Sequence, residues 1–219
     1  KGQNAVQWTS FNGSEATLPS WAPTGRSLAF SVDHGETSDI YIMDAGATKS
    51  RRLISRGGNA AWSRDGKWLY FLSQRSGRRE IWKVDAGGAG TAVPVTRNGG
   101  VAARESLDGR FLYYTKAGAS IALWRMPAEG GSETRIAEGL HTPISFDVAG
   151  DRVFFIQKAG PDGRSMFRVW NARTGELSSV GSANKPLQWG FSASPDGASL
   201  LFVQLDQSAA DLMLLEDFR

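Results

Sequence analysis

The side chains that could do chemistry in this chain are few and widely spaced. Its two histidines are His34, in a predicted loop, and His141, just before a predicted strand. Arg104 and Glu105 are adjacent, at a point where similar segments carry apolar residues. A paired-carboxylate hydrolase or a metal centre needs several acids or histidines that converge on one point. We therefore expect no catalytic group, no metal and no cofactor, and we identify Arg104, Glu105 and His141 as candidate contacts for a ligand or a protein partner.

Composition narrows the function classes further. The chain has no cysteine, which excludes disulfides, thiolate chemistry and cysteine-ligated zinc. It has neither a Gly-x-Ser-x-Gly nucleophile motif nor a phosphate-binding loop, so serine hydrolases and nucleotide-binding proteins lack their usual signature. The net charge is +3, with arginines clustered only at 51–52 and 75–79. A nucleic-acid groove needs a basic stripe with aromatic platforms, so we expect a solvated surface and no nucleic-acid contact through this domain.

The elements that carry these residues follow from an internal repeat. A Trp- or Phe-bearing segment, a polar turn with glycine, an apolar-aromatic triplet and a second apolar run recur at intervals of about 43 residues. In the second repeat we predict strands at 59–62, 68–72, 80–85 and 93–96, the last as an outer edge that tolerates proline. Repeats of this length built from short strands are typical of propeller blades. The turn glycines are Gly25, Gly66, Gly109, Gly150 and Gly197.

The repeat predicts an all-β fold: a five-bladed β-propeller of four-stranded antiparallel blades that forms a single domain over residues 1–219. The first and last segments suggest how it closes, because the last repeat ends after its third strand and residues 4–9 resemble an orphan fourth strand. Closure removes exposed sheet edges, which favours a monomer. The apolar runs are strand-sized, so no membrane span is expected. The blades are predicted at about 19–55, 59–96, 101–136, 141–180 and 187–219, the last completed by residues 4–9.

Glu105 interrupts the repeat in a way that could matter for function. Four residues before the turn glycines the chain has Trp21, Trp62, Glu105, Phe146 and Ala193, so an acid takes a place that we expect to be packed and apolar. A buried carboxylate must be paired, hydrogen-bonded or protonated. One interpretation is a structural acid satisfied by backbone amides or by Tyr113 or Tyr114. The other is a ligand-reading pair with Arg104, whose side chain would point to the opposite strand face, towards the central tunnel.

Three segments carry a family resemblance. Residues 62–71 (Trp-Ser-Arg-Asp-Gly-Lys-Trp-Leu-Tyr-Phe), 38–44 (Ser-Asp-Ile-Tyr-Ile-Met-Asp) and 194–197 (Ser-Pro-Asp-Gly) resemble TolB-type WD-like propeller repeats. The resemblance implies protein interaction at one face of the ring, and related propellers cap the active sites of prolyl-oligopeptidase-like and tricorn-like peptidases. The tail at 207–218 is similar to the C-terminal ends of bacterial winged-helix regulators and receptor-like kinases that carry such propellers, which implies a sensory role.

These observations leave several functions open. The leading hypothesis is a non-enzymatic binding module, the sensory part of a larger bacterial protein, that recognises a protein or small ligand. The alternatives are a hydrolase or peptidase-gating propeller, with chemistry at the tunnel or on another domain, and a structural spacer. Because the chain opens without Met inside a repeat, we expect a piece of a longer polypeptide. The absence of cysteine fits either the bacterial cytoplasm or the periplasm.

Overall fold

A computed structural model describes residues 7–206 and 209–215 of the chain. Strands and their connections make up the described residues, and no helix occurs among them, so none that could cross a membrane is found there. The chain divides into two compact units, Lys1–Gly99 and Gly100–Arg219. Every strand pair is antiparallel, and every sheet is a meander whose neighbours in space are neighbours in sequence.

The first unit contains two four-stranded sheets. The first sheet is built from β1 (Glu15–Trp21), β2 (Ser27–Asp33), β3 (Ser38–Asp44) and β4 (Arg51–Ile54). The second is built from β5 (Gly58–Trp62), β6 (Trp68–Ser73), β7 (Glu80–Asp85) and β8 (Val93–Pro94). Alternate side chains of facing strands form the core between the two sheets, as a half-buried pleated surface requires. That core includes Ile40, Ile42, Leu69, Phe71 and Val84.

The second unit contains two four-stranded sheets and one three-stranded sheet. The first comprises β9 (Ala103–Glu105), β10 (Phe111–Lys116), β11 (Ala122–Pro127) and β12 (Thr134–Glu138). The next comprises β13 (Phe146–Ala149), β14 (Arg152–Gln157), β15 (Ser165–Asn171) and β16 (Leu177–Ala183). The last comprises β17 (Leu187–Ala193), β18 (Leu200–Asp206) and β19 (Ala209–Leu215). Two apolar cores hold these sheets together, one around Phe146 and Phe155 and one around Phe154 and Phe202.

The number of complete blades differs from the prediction. Among the described residues, only four sheets have four strands each, whereas five such sheets were predicted. The sheet at the end of the chain has three strands. Of the segment expected to supply its fourth strand, residues 7–9 lie outside any strand, and residues 4–6 are outside the described residues. The described part of the N-terminal segment packs against the first sheet. Trp8 contacts Trp21, and the ring centres of Phe11 and Tyr41 lie 5.0 Å apart. This N-terminal segment therefore covers part of an apolar sheet face that would otherwise meet water.

In three of the sheets, the polar turn between the first two strands is closed by a serine and an aspartate. In the third repeat the Ser106 hydroxyl donates to Oδ1 of Asp108 (2.7 Å), while its oxygen accepts from the backbone N–H of Phe111 (2.9 Å). Gly109 completes the turn at φ 70°, a conformation that glycine adopts without strain. The same bonds recur around Asp65 and Asp196. The recurring sequence Ser-x-Asp-Gly therefore has a structural explanation.

Two local predictions are wrong. The predicted edge strand 93–96 ends at Pro94, because the Thr96 side chain turns inward, where its hydroxyl donates to buried Glu80 (2.5 Å). Trp21 was expected to be packed, but it is 51% exposed and touches Trp8 edge-on. Its counterpart Trp62 is half-buried because β1 lies against it, and the indole N–H of Trp62 donates to the Ser20 carbonyl (3.0 Å). Trp21 belongs to the first sheet, so its unit holds no preceding sheet to cover it in this way.

Candidate functional site

The first strands of the three sheets in the second unit, β9, β13 and β17, lie next to one another and carry the candidate residues. Asp147, on β13, links all three strands. Its Oδ2 accepts from the Ser192 hydroxyl (3.1 Å) and from the Ala193 backbone N–H (3.0 Å), both on β17. Its Oδ1 accepts from the backbone N–H of Val148 (2.9 Å) and lies 3.8 Å from Nε of Arg104 on β9. A single carboxylate on β13 thus bonds to β17 and lies beside Arg104 of β9.

Arg104 is held in place yet remains accessible. Its Nη1 donates to the Ala103 carbonyl (2.9 Å), and its guanidinium lies 5.8 Å from the centre of the Phe146 ring. The side chain is one-third exposed, at 33%. An ion pair at this exposure contributes little to stability, about 0–1 kcal/mol. The side chain therefore keeps donor capacity for a partner, since a guanidinium carries five N–H groups in a planar fork.

Glu105 lies on the same short strand but is buried. In the pairing with β10 it stands opposite Leu112, whereas Arg104 stands opposite Tyr113, so the two residues alternate along the strand as predicted. Tyr114, one of the two predicted hydroxyl partners, donates its O–H to Glu133 (2.7 Å). Burial raises the pKa of the other, Tyr113. The structure therefore places Arg104 at the surface and Glu105 beneath it.

His141 lies just before β13, half-buried, and touches the last sheet. Its backbone N–H donates to the Ile156 carbonyl (2.9 Å), and its ring Nε2 lies 3.2 Å from the Leu187 carbonyl oxygen. A carbonyl can only accept, so this contact requires the proton on Nε2 and leaves Nδ1 as an acceptor in the neutral ring. The other histidine, His34, is in the first unit, where it contacts Ser14 and Asp39.

Sequence reasoning missed two members of this surface. Asp147 takes the place three residues before the turn glycine where three other repeats have a turn-closing serine, and that substitution is a signal that was readable. Trp189 on β17 is 69% exposed and sits beside a bulge in the pairing with β18. The bulge needs Gly190, whose φ is 132° and whose added Cβ would lie 2.7 Å from Val203. A glycine inside a predicted strand was the available clue.

The same bulge position recurs in other first strands. Seven residues before the turn glycine, Leu18 in β1 has φ 52° and Asn59 in β5 has φ 53°. Both lie where the strand pairing shifts register, as Gly190 does. Positive φ is uncommon for residues other than glycine and is unfavourable for a bulky side chain such as leucine. The first strands of these sheets therefore share a bulge at the same position of the repeat.

No group of three or more histidines and acids that could hold a metal occurs among residues 7–206.

Comparison with known proteins shows where this fold has been seen before. The solved structure of TolB from Acinetobacter baumannii superposes with a TM-score of 0.76 at 18% identity, over 93% of this chain and 52% of that one. The structure of a puromycin hydrolase superposes with a TM-score of 0.63 at 17% identity, over 87% of this chain and 33% of that one. At these identities the similarity shows the fold, which is an all-β propeller of antiparallel four-stranded blades.

Sequence comparisons agree with the structural ones. A curated protein of Agrobacterium fabrum, the uncharacterized protein Atu1656, is 35% identical over 72 residues, which are 32% of this chain and 25% of that protein. The matched part of the chain thus covers about half the length of the TolB structure and a quarter of the Agrobacterium protein. The family model described as TolB beta propeller domain matches residues 2–174. The chain therefore belongs to the TolB beta propeller domain family.

Proposed function

We propose that this chain is a non-enzymatic binding module that recognises a protein or a small ligand through one face of its blades. The observation that carries the proposal is the group on β9, β13 and β17, where Asp147 on β13 contacts both of the other strands. Arg104 keeps donor capacity beside it, and Trp189, three residues before Ser192 on β17, presents an exposed indole. Tryptophan and arginine are the side chains most often found at the energetic centre of protein interfaces. A rigid support of this kind lowers the entropy cost of binding.

Arg104, Glu105 and His141 have distinct parts in this proposal. Arg104 and the Nδ1 of His141 would contact the partner directly, since both side chains are half-buried and remain partly accessible. Glu105 is buried, so its part would be to position the strand beneath Arg104. Binding that survives Glu105→Gln unchanged would remove Glu105 from the site without removing the other two residues.

The test of the class of function is a turnover assay with three kinds of substrate: fluorogenic peptides, p-nitrophenyl esters and p-nitrophenyl glycosides. If the chain is a binding module, each substrate is hydrolysed no faster with the protein than without it. Turnover that disappears in His141→Ala would refute the proposal and identify a hydrolase. As a control, His34→Ala alters the chain's other histidine, which contacts Ser14 and Asp39 in the first unit.

A second candidate is a propeller that gates a hydrolase active site on another domain. The similarity to puromycin hydrolase favours it, because the match covers only 33% of that chain and leaves the rest without a counterpart here. A sensory part of a larger bacterial protein, next to a winged helix or a kinase, is also compatible with a chain that spans part of its relatives. The sequence of the complete encoded polypeptide distinguishes these two, since it names the neighbouring domain.

We also propose that residues 1–219 form one domain and that the N-terminal segment takes part in closing its sheets into a ring. The support is the three-stranded sheet β17–β18–β19, because an unpaired strand edge invites association. Light scattering on the intact chain and on one lacking residues 1–10 tests this. A monomer that aggregates after the deletion agrees with closure. An intact chain that dimerises, or a deletion that changes nothing, contradicts it.

A further inference from the structure

A cleft of about 390 Å³ opens in the first unit, beside the end of β3 and the segment that leads to β4. Its volume lies within the range of small-molecule sites, roughly 300–1,000 Å³. The charged and polar lining residues are Ser27, Asp44, Lys49, Ser50 and Arg51, and Trp62 and Ile42 are among the apolar ones. No candidate residue from the sequence falls in this cleft, and Asp147 and its partners belong to the other unit.

The charges in the cleft favour an anion. Lys49 is exposed and forms no ion pair within the part of the chain that the structure describes. Arg51 adds a second cation, against the one carboxylate of Asp44. That carboxylate already accepts a hydrogen bond at Oδ1 from the Ser27 hydroxyl (2.7 Å), which uses part of its capacity. Two cations therefore face one partly satisfied acid, and an incoming carboxylate finds N–H donors that lack an acceptor.

Arg51 is fixed before any ligand arrives. Its Nη2 donates to the Ala86 carbonyl (2.9 Å), which joins β4 to the turn after β7. The guanidinium also passes close to Gly88, where an added Cβ would lie 3.1 Å from Nη1. A glycine at this point leaves room for the arginine, and φ 88° suits glycine as well. A guanidinium held this way loses less side-chain entropy on binding than a free one.

The apolar part of the cleft is fixed too. The indole N–H of Trp62 donates to the Ser20 carbonyl, which sets the plane of the ring, and Ile42 stands opposite Arg51 in the pairing of β3 with β4. The fixed indole and the isoleucine thus give a ligand an apolar surface beside the two cations. Aromatic rings favour offset or edge-on contact with such an indole.

We propose that this cleft is a second binding site, for a small carboxylate with an apolar or aromatic body. The carboxylate would bind Arg51 and Lys49, and the body would lie against Trp62. This assignment does not depend on the proposed contacts at Arg104 and His141, so either site can fail while the other stands.

Titration of ¹⁵N-labelled protein with 3-phenylpropionate, and separately with its neutral amide, tests the site. The readout is the indole N–H signal of Trp62, assigned by through-bond experiments so that no variant of this residue is needed. We expect the acid to shift the signal saturably, with a Kd near the millimolar range, and the amide to bind more weakly. Loss of one exposed ion pair corresponds to a weakening of about 2- to 5-fold, so Lys49→Ala should show that change.

Lys158→Ala is the matched control, because Lys158 is exposed and lies in the other unit. It should leave the Kd for 3-phenylpropionate unchanged, and raised salt should weaken binding of the acid more than of the amide. Three results would overturn the proposal: no saturable shift up to roughly 10 mM acid, equal binding of acid and amide, or equal weakening by Lys49→Ala and Lys158→Ala.

Discussion

Replacing Glu80 by alanine should destabilise the chain strongly, because this carboxylate lies in the core with only 2% of its surface exposed. Its Oε2 accepts from the Thr96 hydroxyl (2.5 Å) and from the Gly99 backbone N–H (3.0 Å). Its Oε1 forms an ion pair with Nε of Arg78 at 2.7 Å. The hydroxyl oxygen of Thr96 in turn accepts from the Ile81 N–H, so Glu80 ties the start of β7 to the segment that leads into the next sheet.

The magnitude follows from these contacts. Two hydrogen bonds to a charged group contribute about 1.5–3 kcal/mol each. Alanine also removes the cost of burying the carboxylate, which offsets part of this loss, and exposed Arg78 regains water. We therefore expect Glu80→Ala to lower the free energy of unfolding by about 2–4 kcal/mol. Glu80→Gln keeps an acceptor oxygen for Thr96 and Gly99, so it should cost about half as much, roughly 1–2 kcal/mol.

Urea denaturation followed by tryptophan fluorescence measures both variants, and the midpoint should fall while the slope stays constant. Glu138→Ala is the control: Glu138 is 63% exposed and pairs with Arg135 three residues earlier at 3.1 Å. An exposed pair of this kind contributes about 0–1 kcal/mol. If Glu80→Ala and Glu138→Ala destabilise equally, the buried acid has no special structural role and the reasoning is wrong.

Three further predictions concern the turns and first strands. Hydrogen bonds lower the pKa of Asp108 from 3.8 to about 2. The largest effect comes from the Ser106 hydroxyl, and the backbone N–H and side chain of Arg110 add to it. The stability that these bonds supply is therefore present above pH 3.8 and is lost as the pH falls through about 2. Ser106→Ala should raise that pKa towards 3.8 in a carboxyl NMR titration, and an unchanged pKa would exclude the hydroxyl as the cause. Gly190→Ala should lower the free energy of unfolding by about 1–3 kcal/mol, because the added Cβ is strained and clashes with the neighbouring strand. Gly163→Ala, where the added Cβ meets open space, should cost only about 1 kcal/mol, and thermal unfolding measures both. Asp147→Ala should lower the free energy of unfolding by about 1–3 kcal/mol, because the Ala193 N–H on β17 loses its acceptor. Hydrogen exchange at the Ala193 amide should become faster, and unaltered exchange would contradict this link between the strands.

Much of the blade architecture was predictable because its signals are local. The alternation in 80–85 gave β7 with the bounds that the structure has, and the apolar segment 68–72 gave β6 to within one residue. Side-chain periodicity and turn chemistry act within ten residues, so they can be read without knowing the rest of the fold. The short edge strand β8 was predicted too long because Thr96 has a distant partner, Glu80.

The candidate site was less predictable because its contacts cross between sheets. The alternation of Arg104 and Glu105 along one strand was predicted and agrees with the pairing of β9 with β10, but their nearest partners depend on packing between sheets. Asp147 accepts a hydrogen bond from Ser192, which is 45 residues away. Nothing in the sequence near Asp147 distinguishes it from an acid that is simply exposed to solvent. The exposure of Trp21 also depends on which sheets flank it, whereas its sequence setting matches that of Trp62.

The meander pairing of every sheet has a consequence for how this chain folds and tolerates damage. Each strand bonds to the strand before or after it in sequence, so loop closure within a sheet involves short segments and little entropy. Neighbouring sheets are joined by apolar cores and by polar links, such as the bond from the indole of Trp62 to Ser20 and the bond from the Ala193 amide to the carboxylate of Asp147. Such a chain behaves as a linear array with nearest-neighbour coupling. A lesion in one sheet should therefore open that sheet and loosen its neighbour first, and the more distant sheets keep their protection.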